Sequence, residues 1–387
     1  MSETGDAGRI VRVHWRTFRV PFATAAWTAR ATVAERKGLL VTIETSEGFT
    51  GTGEASPLRE FEGGDLSEVV AAIRQMAVAL PGRTLDEAWD SLELRAAVSE
   101  PSQRVARAGI ETAFADVLAK SERLPLWRWL GRRFGFEVTG PVDIASNALV
   151  DDFAPAAVAD RVRELRAAGF GAVKLKVGAD GPRDLERVEA ARLADAEIEL
   201  RIDANGAWGE LEARLFLSSC EAFNVAMCEQ PLDPRRGDVI EATAWLRKQV
   251  GVPLALDESC RTPERVRSIL AAGAADVIVV KPMFTGLRAA CEMLRLAREG
   301  GLPVVVTTTF DSGTGTAMAA HVAALLPAPR MACGLATLER LAHPLVTGGH
   351  YARDGEVTLV DSPGLGVALD APAVVRYAGT ESGEVVA

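Results

Sequence analysis

Short apolar runs punctuate the middle of this chain, and each ends on a charge. They read Gly171-Ala172-Val173-Lys174-Leu175-Lys176, Glu199-Leu200-Arg201-Ile202-Asp203, Val225-Ala226-Met227-Cys228-Glu229, Pro253-Leu254-Ala255-Leu256-Asp257 and Val277-Ile278-Val279-Val280-Lys281. Runs this short, rich in Val, Ile and Leu, predict buried strands. Helical spacing of apolar residues fills the intervals at 181–193, 209–220, 239–248 and 263–272. The terminal charges are 27, 26, 28 and 24 residues apart, about what one strand, loop, helix and return loop require. The alternation extends outward, with further strands beginning near Asp143, Pro303 and Arg330 and helices at 154–168, 287–299 and 315–326. Residues 140–345 therefore predict an α/β fold, a TIM-type (β/α)8 barrel of about 26 residues per unit with room for an abbreviated last unit. A doubly wound open sheet is the structural rival, but no GxGxxG or P-loop sequence follows any predicted strand.

Residues 1–139 follow a different pattern. Strands are predicted at Ile10–Val20 and Leu39–Thr45, with the turn Ser46-Glu47-Gly48 leading into Thr50-Gly51-Thr52-Gly53-Glu54. Helical periodicity follows at 66–79, 85–97 and 103–120. Strands followed by a run of helices predict a separate α+β layer. Beyond the barrel, the tail 346–387 offers a hairpin at 349–363 and the turn Pro363-Gly364-Leu365-Gly366-Val367, and is expected to return to the N-terminal layer. Its last residues, 379–387, are expected to fray.

Composition narrows the partners. With 43 basic and 53 acidic residues the formal charge is −10, which argues against nucleic acid or an anionic membrane surface. An anionic small molecule stays compatible, because local lysines and a metal can dominate one cleft. The five cysteines form no CxxC pair, which suits free thiols in a reducing cytoplasm. The first residues have neither a basic nor an apolar leader segment, and the longest apolar stretch, 317–326, is far short of a membrane span. The expectation is a cytoplasmic protein acting on a small-molecule carboxylate, with homo-oligomerisation left open.

The strand-end charges suggest the chemistry. Asp203, Glu229 and Asp257 close three consecutive strands, and three carboxylates converging on one point repel unless a cation lies among them. Hard oxygen donors without histidine or cysteine favour Mg2+, with Mn2+ as the alternative. Any one of these acids alone is an ordinary rim charge; three in register are not. Lys174 and Lys176 are two apart on a strand and share a side. Their mutual repulsion is expected to lower the proton affinity of each, the condition for a lysine base. Lys281 stands four strands on, across the barrel. Together these residues suit removal of a proton next to a metal-held carboxylate, with the enediolate stabilised electrostatically. A Schiff-base aldolase is a competing use of a barrel lysine but has no need of three acids.

The segments Lys174-Leu175-Lys176-Val177-Gly178, Asp203-Ala204-Asn205-Gly206-Ala207-Trp208, Glu229-Gln230-Pro231-Leu232, Asp257-Glu258-Ser259 and Lys281-Pro282 resemble the muconate-lactonizing branch of the enolase superfamily. Sites of that superfamily pair a lysine or histidine base with magnesium. The resemblance implies that residues 1–139 form a capping domain over the barrel. Gly53-Glu54-Ala55-Ser56-Pro57-Leu58, Thr309-Phe310-Asp311-Ser312-Gly313-Thr314-Gly315 and Cys333-Gly334-Leu335-Ala336-Thr337 are most similar to the o-succinylbenzoate synthases, magnesium-dependent dehydratases of menaquinone biosynthesis. By that likeness Lys176 removes the proton and returns it to the departing hydroxide, Lys281 stabilises the enediolate and Lys174 tunes Lys176. Asn205 and Glu258 orient the metal ligands. Ser312 and Gly313 hold the succinyl end, although Asp311-Ser312-Gly313 departs from the usual Glu-Ser-Ser. The segment 21–37, with Trp27, Arg30 and Arg36, suits a flap over the barrel mouth, where an arginine such as Arg30 meets a second substrate carboxylate.

Three alternatives stay in view. An N-acylamino-acid racemase would use Lys176 and Lys281 from opposite faces. Dipeptide epimerases of this branch carry an Asp-x-Asp pair after the eighth strand, and 333–342 has none. Muconate cycloisomerases usually carry valine and glutamine where this chain has Ala204 and Gly206. A non-catalytic binding barrel is a different class of protein, and the presence of all five strand-end charges argues against it.

Overall fold

The computed structural model describes residues 8–27, 32–61, 63–93, 100–138 and 142–387. β1 (Ile10–Trp27), β2 (Thr32–Thr45) and β3 (Thr50–Ala55) form an antiparallel meander. Val13 and Trp15 of β1 belong to the main core, shared with the helices that follow. Phe18, Val20 and Phe22 instead join Leu338, Leu341 and Leu345. β1 pairs regularly with β2 from Arg12 to Pro21, so the three-residue step from Trp15 to Phe18 moves its apolar set to the other face. One strand thus packs on the cap helices at one end and on the barrel at the other.

The cap helices are α1 (Leu66–Ala77), α2 (Leu85–Glu93), α3 (Pro101–Ser121) and α4 (Leu126–Phe134). α3 is buried along almost its whole length. The glycines of β3 explain how closely it lies: a Cβ on Gly53 would stand 1.9 Å from the Gly109 carbonyl oxygen, and one on Gly51 would stand 2.1 Å from that of Ala113.

A short strand, β4 (Val142–Ala145), precedes the barrel. The barrel strands are β5 (Asn147–Val150), β6 (Ala172–Lys176), β7 (Glu199–Asp203), β8 (Met227–Glu229), β9 (Leu254–Leu256), β10 (Val277–Val280) and β11 (Val304–Val306). They form one parallel sheet in sequence order. Cys333 and Gly334 take the eighth place. The Cys333 N–H donates to Ala145 and its carbonyl accepts from Asn147, while the Gly334 N–H donates to Val306 and its carbonyl accepts from Thr308. The strand expected from Arg330 is thus reduced to isolated bridges. The run expected near Asp143 splits instead, β4 leaving the barrel to pair with β13 (Glu356–Leu359).

Helices separate the strands: α5 (Pro155–Ala167), α6 (Gly181–Ala194), α7 (Glu210–Cys220), α8 (Val239–Arg247) and α9 (Pro263–Ala272). The short α10 (Pro282–Thr285) and then α11 (Leu287–Glu299) follow β10, and α12 (Gly313–Ala323) follows β11. In the tail, β12 (Val346–Thr347) pairs with β14 (Ala368–Leu369). α13 (Ala371–Arg376) then leads to β15 (Ala378–Val386), which pairs with β1 and completes the four-stranded cap sheet. The fraying expected for 379–387 does not occur, because unpaired β1 backbone offers those residues a partner. The fold is therefore an α+β cap on a curled parallel sheet of the (β/α)8 type.

Candidate active site

The parallel register aligns the charges. Lys176 pairs with Asp203 across β6 and β7, and Asp203 with Glu229 across β7 and β8. Asp257 and Lys281 each follow the last residue of their strands. Two residues before four of these or neighbouring positions, on the same face, Met227, Ala255, Val279 and Val305 form an apolar cluster with Val277. The polar groups therefore sit on an apolar floor that excludes water.

Each acid is turned onto a cation. Lys174 Nζ lies 2.8 Å from Asp203 Oδ2 and donates to Glu229 Oε1 at 2.9 Å. Lys176 Nζ donates to Asp203 Oδ2 and to Asn205 Oδ1, both at 2.7 Å. Lys281 Nζ donates to Asp257 Oδ2, whose Oδ1 accepts from Arg261 at 2.8 Å. Asn205 Nδ2 donates to Glu258 Oε1 at 3.2 Å, so Asn205 links Lys176 to the next acid. Gln230, at φ +42°, accepts from the Asp257 and Ser259 N–H groups and donates to Leu232 and Ser259, tying the β8 and β9 ends together. Asn205 is also left-handed, at φ +46°. Non-glycine residues in this region concentrate where a site dictates the backbone.

Burial and neighbours set the protonation. Burial pushes the Asp203 carboxyl up, but Lys174 and Lys176 outweigh it and hold the group well below the ordinary range. Burial likewise raises Asp257, and Arg261 and Lys281 bring it below its usual value. Glu229 is pushed up to about 7 by burial and by Asp203. Glu258 rises by burial and by Asp257, and its Oε2 is buried without a hydrogen-bond partner. Burial lowers Lys174, but Asp203 and Glu229 reverse the sign and raise it. The expected depression of Lys174 by its lysine neighbour is thus overturned: the carboxylates are closer partners than the second ammonium.

The acids also differ from the expected cage. Among the described residues no three Asp, Glu, His or Cys side chains stand grouped around a vacant point, because ammonium groups neutralise them instead. The donor set still suits a hard divalent ion: buried carboxylates stand on adjacent strand ends, Glu229 raised by burial and by Asp203, and Glu258 beside them has an unpartnered buried oxygen.

Several expected contacts fall elsewhere. Ser312 and Gly313 do not line the cavity. Ser312 donates through N–H and Oγ to the Glu54 carboxylate, at 3.0 and 2.5 Å, and Gly313 N–H donates to Pro344. Glu54 also accepts from Ser56 and Gly315, so this segment latches the barrel to the cap and commits the Ser312 hydroxyl and the Gly313 N–H there. Arg36, expected over the mouth, is 1% exposed and donates to the carbonyls of Ser56, Pro57 and Phe310. Arg30 lies outside the described residues.

Sequence reasoning missed other cavity residues. Phe61 comes from the cap, and its ring centroid is 5.8 Å from both Lys176 Nζ and Lys281 Nζ. Leu58, Leu149, Val305 and Phe310 supply apolar wall. Thr307, Thr308, Thr337, Asp151 and Arg340 supply a polar one. Among these, Leu58, Phe310 and Thr337 lie in the segments that carry the family resemblance. Arg261 is a further partner of Asp257, and its place four residues on is the signal for it in the sequence.

Comparison with known proteins decides the family. Residues 9–131 match the N-terminal domain of mandelate racemase/muconate lactonizing enzymes, and residues 157–374 match the enolase C-terminal domain-like family. The chain belongs to the enolase superfamily. Within that superfamily it is 30% identical over 378 residues to muconate cycloisomerase 1 of Rhodococcus opacus, covering 95% of this chain and 98% of that one. It is 37% identical over 213 residues to o-succinylbenzoate synthase of Thermobifida fusca, covering 54% and 64% respectively. The structure superposes with TM-score 0.87 and 25% identity on a dipeptide epimerase from Cytophaga hutchinsonii complexed with Mg and the dipeptide D-Ala-L-Val, covering 97% of this chain and all of that one. Enolase-superfamily relatives thus include cycloisomerases, synthases and epimerases, and some are structurally known with magnesium.

Proposed function

We propose that this enzyme removes the proton next to a carboxylate and eliminates water, as an o-succinylbenzoate synthase of menaquinone biosynthesis. The observation that carries the reading is the pair Lys176 and Lys281, set on strands four apart and both facing Phe61 at 5.8 Å across one cavity. Asp203, Glu229 and Asp257 would hold Mg2+, which would supply positive charge to the substrate carboxylate.

The chain's own groups account for the rest. Asp203 and Asn205 hold Lys176 Nζ from two sides. As a free amine it takes the α-proton, and the C–H electrons form the enediolate double bond. Lys281, fixed by Asp257, presents its charge to the developing oxyanion. The carbon–oxygen bond of the β-hydroxyl then breaks, and the proton on Lys176 leaves with the hydroxide as water. The base is regenerated. Phe61 and Leu58 cover the reacting carbon against bulk water.

A second reading shares the same geometry. Two lysines reaching one carbon from opposite sides suit an N-acylamino-acid racemase. The test is incubation with magnesium and the cyclohexadiene precursor of o-succinylbenzoate, beside N-succinyl amino acids in deuterated water. Loss of diene absorbance without deuterium entering the amino acids supports the dehydratase. Deuterium uptake without diene loss moves the assignment to the racemase.

A further inference from the structure

The lysine strands divide the barrel mouth into two arcs. β7 to β9 carry the acids; β11, the eighth place and β5 carry Thr307, Thr308, Thr337, Arg340 and Asp151. We propose that this second arc reads a second anionic group on the substrate, with Arg340 as the specificity-determining residue and Asp151 as its built-in competitor. This inference rests on the carboxylate-substrate reading above.

Arg340 Nη1 donates to Asp151 Oδ2 at 2.6 Å and Nη2 to Oδ1 at 3.0 Å. A guanidinium has five N–H donors. Nε–H and the outer N–H of each Nη have no acceptor among the described residues. Both side chains are about a quarter exposed and line the inner cavity as well as the groove beyond it. Beside them Thr307 Oγ1 is buried, lines the cavity and has no partner, while the Thr308 and Thr337 hydroxyls are 2.7 Å apart. Thr308 Oγ1 also donates to the Gly334 carbonyl, so the donors left without an acceptor are the Thr307 hydroxyl and the three spare Arg340 N–H groups.

The space points the same way. The inner cavity encloses about 60 Å³, and the groove sharing Leu149, Asp151 and Arg340 with it encloses about 600 Å³. A substrate longer than the inner cavity must reach this ion pair. Asp152 and Glu339 line the outer groove with Arg161, which pairs with Asp152 at 3.8 Å, so the groove offers an arriving anion no surplus positive charge and the second charge belongs on the cavity side. A carboxylate arriving at Arg340 meets bidentate-capable donors already oriented by Asp151.

The test measures binding of N-succinylglycine and N-butyrylglycine, which differ in the distal carboxylate, to the magnesium-loaded enzyme by calorimetry. The expected preference for the succinyl compound is about tenfold. Arg340→Met should erase that preference and leave the butyryl affinity unchanged. Asp151→Asn should widen it, because the competing charge is gone. Opposite signs from the two partners of one ion pair distinguish recognition from structural support, which either substitution would weaken alike. Equal binding of the two compounds to the unaltered enzyme, or a preference that survives Arg340→Met, overturns the inference and leaves the carboxylate site standing. Binding of neither compound overturns both.

Discussion

The two arcs of the barrel mouth differ in how fully their polar groups are engaged. On the β7–β9 side, acids and cations largely satisfy one another, and one Glu258 oxygen and Arg261 Nη2 are left over. On the β11–β5 side, the Thr307 hydroxyl and three of the five Arg340 N–H groups are uncommitted. Groups that charge one another strongly suit chemistry, because they hold reactive side chains in place in a water-poor setting. Groups left with spare donors suit recognition, because the ligand completes them. On this view the first arc fixes what is done to the substrate and the second fixes which substrate arrives.

Substitutions on the first arc should therefore stop turnover. Lys176→Ala should lower kcat by at least about a thousandfold while the circular dichroism spectrum and melting curve stay close to the parent's. Asp203→Asn should weaken magnesium binding by about 10–100-fold or more, measured by calorimetry. It should also loosen both Lys174 and Lys176, which share its Oδ2. A variant that binds magnesium normally would separate Asp203 from the metal.

The cap should respond differently again. Glu54→Gln leaves buried donors from Ser312 and Gly315 facing a partner that accepts less strongly. About 1–3 kcal/mol of stability should be lost, read from denaturant midpoints, with a smaller effect on kcat than either substitution above. If kcat falls as far as in Lys176→Ala, the latch reaches into the chemistry and the division between the arcs is too simple.

The smallest effect is a pH dependence remote from both arcs. His321 is buried, accepts from the Trp127 N–H at Nδ1 and lies 3.1 Å from the Leu365 carbonyl at Nε2. Burial, with His350 adding to it, lowers its pKa to about 3. A depressed histidine favours the folded state fully above its unfolded value near 6.5, and that contribution fades as pH falls toward 3. Histidine proton resonances should show His321 staying neutral through pH 5. A midpoint near 6.5 would contradict the buried, neutral assignment.

How much was legible follows from the same contrast. The beat of strand-end charges could be read because each charge is unusual after an apolar run and the spacing repeats. The division into an α+β layer and a barrel was expected from the change in periodicity near residue 140, and the capping role of that layer from the family resemblance. The protonation of Lys174 was misjudged because its partners, Asp203 and Glu229, lie on other strands, and repulsion from Lys176 was the only interaction visible locally. Ser312 and Arg36 sit in motifs that suggest ligand contact, yet the structure spends both on joining cap to barrel. The second arc was nearly hidden, with Thr337 its one residue in a motif that carries the family resemblance. Threonines occur everywhere, and Asp151 and Arg340 are 189 positions apart. Nothing in either one's local sequence announces the other.

The central claim is that Lys176 takes a proton from a carbon whose carboxylate is held by magnesium. The most direct measurement is loss of diene absorbance from the cyclohexadiene precursor, followed with the parent enzyme, with the parent after chelation and with Lys176→Ala. Rapid loss in the first case and none in the other two is the predicted result. Turnover that persists after chelation, or in Lys176→Ala, would contradict it.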